Sequence, residues 1–64
     1  MENHAVKIYR NFRLLGAELF NTAEEAYENY VKTIEELKTT TIKGHYMVAR
    51  FNCGDVMTIH ELTI

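Results

Sequence analysis

The chain lacks every device that commonly staples a small fold. It has no proline, and its one cysteine, Cys53, has no second cysteine to bridge to. The three histidines, His4, His45 and His60, show no H-x-H or H-x3-H spacing, so no zinc-type ligand set is expected and no metal or other cofactor is assigned. With 64 residues, a chain of this size buries only about 60% of its unfolded surface, and its stability is expected to be modest. Self-association is then a natural way to gain buried area. The three glycines, Gly16, Gly44 and Gly54, are single and scattered, which excludes a P-loop or a dinucleotide fingerprint. No apolar run approaches the length that spans a bilayer. Met1-Glu2-Asn3-His4 lacks the basic start and apolar core of an export signal. A lone cysteine without such a signal fits a reducing compartment, so a cytoplasmic location and no membrane partner are expected. The net charge of −2 does not point to a general nucleic-acid binder. There is no repeat, low-complexity segment or linker, and residues 1–64 read as one domain.

What the chain does have is one well-signalled helix, Asn21 to Lys38. Ala23, Ala26, Tyr27, Tyr30, Val31, Ile34 and Leu37 recur at spacings of three and four, which sets them on one face. Thr22 is an N-cap and Glu25 follows three residues later, the pattern of a capping box in which Glu25 reaches back to the Thr22 amide. Glu24 and Glu25 suit the positive end of the helix dipole, and Lys38 suits the other end. Glu28 and Lys32 are spaced for an ion pair. The β-branched run Thr39-Thr40-Thr41 ends the helix. Glu24, Glu28, Glu35 and Glu36 make the outer face acidic, which reads as a solvated surface or as a docking face for a basic partner.

The flanking segments read as strands. In residues 5–13, Val6, Ile8, Phe12 and Leu14 share one parity, and Lys7, Tyr9, Asn11 and Arg13 the other. Leu15-Gly16 is expected to break this strand, with Ala17 to Phe20 returning as a second one. The alternative is one strand kinked at Gly16. Residues 41–52 and 56–64 are β-branched and aromatic, and Asn52-Cys53-Gly54-Asp55 between them is a turn signal. A three-residue loop pairs Met47 with Ile59 and Ala49 with Met57. A two-residue Cys53-Gly54 turn pairs Phe51 with Val56 and Val48 with Ile59. The first register is preferred, because it gathers Met47, Ala49, Phe51, Met57 and Ile59 to receive the helix. In that register His60 lies opposite Tyr46, and His45 opposite Glu61. The expected fold class is α+β, in β-β-α-β-β order: an antiparallel sheet of three to four strands with one amphipathic helix packed on one face. Tyr27, Tyr30, Val31, Ile34 and Leu37 are expected to meet Ile8, Met47, Phe51 and Ile59.

Little in the chain suggests catalysis. Cys53 sits at a turn tip, where neither a base nor a pocket is at hand. The carboxylate pairs Glu24-Glu25 and Glu35-Glu36 are adjacent on the helix, so their side chains diverge by about 100°. A chain this short also struggles to enclose a ligand pocket. No enzyme activity is expected.

The predicted register leaves Ile42, Tyr46, Val48, Val56, Leu62 and Ile64 on the second side of the sheet, a patch large enough to suggest an interaction site. The expected function is therefore a small intracellular module that binds a larger protein, or a second copy of itself as a homodimer, through the exposed sheet face or a strand edge. Its candidate partner-binding residues are Tyr9, Arg13, Tyr46, Val48, Arg50 and His60, since aromatic and arginine side chains most often anchor interfaces. Two alternatives stand beside this reading. Lys7, Tyr9, Arg10, Phe12 and Arg13, with Tyr46 and Arg50, could stack bases and hold phosphates of a single-stranded nucleic acid. The chain could also be a structural homo-oligomer subunit. In length and element order, with the capped Thr-x-Glu-Glu-Ala helix start of Asn21 to Ala26, it resembles many compact phage- and plasmid-encoded accessory proteins. Some of those inhibit host enzymes, and the resemblance implies a regulator or inhibitor; it assigns no residues.

Overall fold

The helix forms where its capping signal places it. In the computed structural model, which describes residues 3–64, α1 runs Ala23–Leu37 with Thr22 as N-cap. Met1 and Glu2, the first two positions of the expected 1–64 domain and of the start read for an export signal, lie outside the described residues. The Glu25 amide donates to Thr22 Oγ1 at 3.2 Å, and that hydroxyl donates to Glu25 Oε1 at 3.0 Å. The carboxylate thus reaches the Thr22 hydroxyl rather than the expected amide. Thr22→Ala removes both bonds and should cost about 1 kcal/mol, read as a lower urea midpoint with an unchanged slope. Lys38 is the C-cap, and its Nζ lies 3.2 Å from Glu35 Oε1. Lys32 turns to Glu36, at 4.0 Å, instead of to Glu28.

The strands are β1 (His4–Arg10), β2 (Arg13–Phe20), β3 (His45–Asn52) and β4 (Asp55–Thr63). They form one antiparallel sheet in the order β2-β1-β3-β4, with α1 packed on one side. The α+β class and β-β-α-β-β order are therefore as the sequence predicts. Both hairpins close through two-residue loops whose central residues have positive φ, the pattern that follows the right-handed strand twist.

The first of these turns is Asn11-Phe12, at φ 51° and 67°, four residues earlier than expected. Leu15-Gly16 instead forms a bulge inside β2, where the partner of Ile8 is Gly16 and that of Tyr9 is Leu14. A phenylalanine in left-handed backbone costs energy, which is why the sequence gives no turn signal there. The Phe12 ring stacks on His45 at 5.1 Å between centroids, and the Asn11 amide donates to the His45 carbonyl at 2.7 Å. Asn11 Oδ1 accepts from the His45 amide at 3.0 Å. Contacts to β3, distant in sequence, hold the turn.

The second turn is Cys53-Gly54, at φ 51° and 84°. It pairs Phe51 with Val56, so the preferred three-residue register is corrected to the two-residue one at the tip. A bulge at Met57 then shifts the pairing by one more residue, giving Ala49–Ile59 and Val48–His60.

β1 and β3 are the central strands, and their register decides which side of the sheet meets the helix. Ile8 pairs with Val48 and Tyr9 with Met47. Val6, Val48, Ala26, Tyr30 and Ile34 form the core, with Phe20, Leu37 and Leu62 packed against it. The expected core is corrected on both layers. Met47, Phe51 and Ile59 lie on the side away from the helix, because they alternate with Val48 and its cross-strand neighbours. On the helix, the buried stripe is Ala26, Tyr30 and Ile34, while Tyr27 (53% exposed) and Val31 (39%) lie on its flank. Ala26 is fully buried and so short that the helix settles onto the sheet along its own side of the cylinder.

Candidate interaction surface

Among the described residues, no element covers the second side of the sheet. Tyr9, Met47, Ala49, Phe51, Val56 and Ile59 gather there around a shallow hollow of about 220 Å³. That is below the range of roughly 300–1,000 Å³ of small-molecule sites. A larger crease of about 440 Å³, between Arg10, Asn11, Arg13 and Leu15, lies open at the end of the first hairpin. Ala49 floors the hollow and is itself only 3% exposed, so the bulky neighbours rise around it. Val56 and Ile59 are more than half exposed. On β2, Leu14 and Leu19 pair with Tyr9 and Ala5 and extend the apolar surface to the edge. Phe12, 74% exposed, extends it to the end of the hairpin beside His45. Contiguous apolar surface of this kind marks an interaction site more often than isolated exposed side chains do.

Two charged strand residues share this side. Lys7 pairs with Ala49 across β1 and β3, and its Nζ lies 4.7 Å from the centroid of the Phe51 ring. The ammonium is therefore held over the apolar surface. Glu61 pairs with Met47 across β3 and β4 and lies 3.7 Å from His45 Nε2.

The six residues expected to bind a partner do not converge. Tyr46 (3% exposed) and Val48 (0%) are buried on the helix side of the sheet, which corrects their placement on an open surface. Their parity on β3 is that of the core, and the Tyr46 hydroxyl is engaged at 2.8 Å by the Ile42 carbonyl. Arg50 and His60 share that helix-side parity. The Arg50 guanidinium lies 5.3 Å from the Tyr27 ring centroid, and its Nε donates to Thr58 Oγ1 at 3.4 Å. Arg13 begins β2 opposite Arg10, whose side chain is bound to the Lys43 carbonyl, with Nε donating at 3.0 Å. Of the six, only Tyr9 lies on the open side.

The basic-aromatic constellation is dispersed by the same geometry. Tyr46 is buried, Arg10 and Arg50 are tied down on the helix side, and Lys7 stands without an arginine beside it.

Met47, Phe51 and Ile59, expected in the core, are surface residues on the bare side. One signal was available. Lys7 and Tyr9 share a parity on β1, and Lys7 is a poor core residue. The β3 side chains beside them, Met47, Ala49 and Phe51, follow them outward once the strands are paired.

Among the described residues no helix is long and apolar enough to cross a membrane, and no group of three or more His, Cys, Asp and Glu side chains gathers as a metal site. Fold and surface together define a small α+β domain with one side of its sheet left bare. No protein-family model, curated protein or solved structure matches the chain.

Proposed function

We propose that this chain is a non-enzymatic protein-interaction module that acts in the cytoplasm as a regulator or inhibitor, by docking the bare side of its sheet onto another protein. The observation that carries this reading is the apolar surface around Ala49, on the side of the sheet opposite the helix. Aromatic and methionine side chains, here Tyr9, Phe51 and Met47, are those enriched at interface centres. The lone cysteine supports a reducing compartment.

The test is capture from a lysate of the source cells by the tagged chain, with and without nuclease. Ile59→Glu puts a charge on the bare side, and Glu28→Arg reverses one on the exposed helix face. A captured protein that survives nuclease, is lost with Ile59→Glu and is kept with Glu28→Arg is the expected result. Capture indifferent to Ile59→Glu would move the docking surface elsewhere. Capture that vanishes with nuclease would replace the protein partner by a nucleic acid.

A further inference from the structure

We infer that the free protein closes its bare sheet face with a second copy of itself, as a face-to-face two-fold dimer centred on β3. The inference rests on the docking reading above and names the first occupant of that surface. Any other protein would then bind in competition with the dimer.

The charges make the face complementary to itself. A two-fold interface presents the same patch from both sides, so each cation must find an anion elsewhere in the same patch. Lys7 and Glu61 meet this condition. Lys7 flanks β3 at Ala49 on one side, and Glu61 flanks it at Met47 on the other. An axis lying in the interface, perpendicular to the line joining Lys7 to Glu61 and therefore oblique to β3, passes between Met47 and Ala49 and sets Lys7 of each copy against Glu61 of the other. The side chains flanking the axis are an alanine, which allows close approach, and a methionine, which adapts its shape to what faces it.

The area is sufficient for a reversible dimer. Four strands about 4.8 Å apart and about seven residues long make a face of roughly 19 by 23 Å. Two such faces, with side-chain relief added, approach the lower end of specific interfaces, about 1,200 Å² in total. Association in the micromolar range is expected, which suits a face that must also open to another partner.

The test is sedimentation equilibrium of the full chain from about 1 to 500 µM, a range spanning micromolar dissociation constants. The wild type should pass from monomer to dimer. Lys7→Glu and Glu61→Lys should each weaken self-association about tenfold or more, since each sets like charges together twice across the axis. An equimolar mixture of the two variants should associate at least as well as the wild type, because every facing position then pairs an acid with a base. That rescue also shows that both variants are folded. A wild type that stays monomeric throughout overturns the inference. So does a single variant that dimerises unchanged, or a mixture no better than its components. The docking reading fails separately: it falls if Ile59→Glu leaves capture from the lysate intact, whatever the oligomeric state.

Discussion

Val48→Asp is expected to leave the chain unfolded at 25 °C, with the far-UV spectrum of a coil and collapsed amide dispersion. Val48 is the largest fully buried side chain, in the middle of a central strand and under the helix. Among the described residues, no charged side chain is buried in the core to pair with a carboxylate. Ionised, the aspartate would be an unpaired buried charge; protonated, it would still leave a polar group without a partner. The apolar transfer energy of the valine, about 1.5–3 kcal/mol, is lost as well. Small domains hold about 5–15 kcal/mol in total, and one of this length sits towards the bottom of that range. The matched substitution is Ile59→Asp, at a side chain 54% exposed on the opposite side of the sheet. It should leave the monomer's midpoint nearly unchanged. If Ile59→Asp unfolds the chain and Val48→Asp does not, the helix packs on the other side.

Ile34→Ala should lower stability by about 2–5 kcal/mol, seen as a shift of the urea midpoint at fixed protein concentration. Ile34 is buried in the core cluster between Tyr30 and the strand residues Val6 and Val48. Truncating it opens a cavity, and a helix anchored by so few buried positions has little freedom to collapse into it. Val31→Ala, on the helix flank, is the control. It sits three residues away, yet is 39% exposed and should cost well under half as much, since substitutions outside the packed core are mild. The concentration must be held constant, because dimerisation adds stability by mass action. Equal effects at the two positions would mean that the buried stripe includes Val31.

The sequence read the helix well because its signals are local. Thr22, Glu25 and the spacing of Ala26, Tyr30 and Ile34 lie within one another's reach along the chain. The Cys53-Gly54 loop was also visible, since glycine takes positive φ readily. The Asn11-Phe12 turn was not. Its left-handed phenylalanine is compensated by His45, which is distant in sequence. Of the expected surface residues, Tyr9 lies on the bare side, whereas Tyr46, Val48, Arg50 and His60 lie on the helix side, because the helix packs over Val48 rather than over Met47, Phe51 and Ile59.

By itself, then, the amino-acid order determined one capped amphipathic helix, strand-forming segments on both sides of it and the α+β class. These follow from short-range periodicity and backbone preference. Only the tertiary structure decided which side of the sheet is core. β3 carries apolar side chains on both sides, Tyr46 and Val48 on one and Met47, Ala49 and Phe51 on the other, so its own pattern has no preferred direction. The pairing of Ile8 with Val48 supplies the direction. Once the helix buries Ile34 against that side, alternation along each strand turns Met47, Phe51 and Ile59 outward, leaving the bare surface around Ala49.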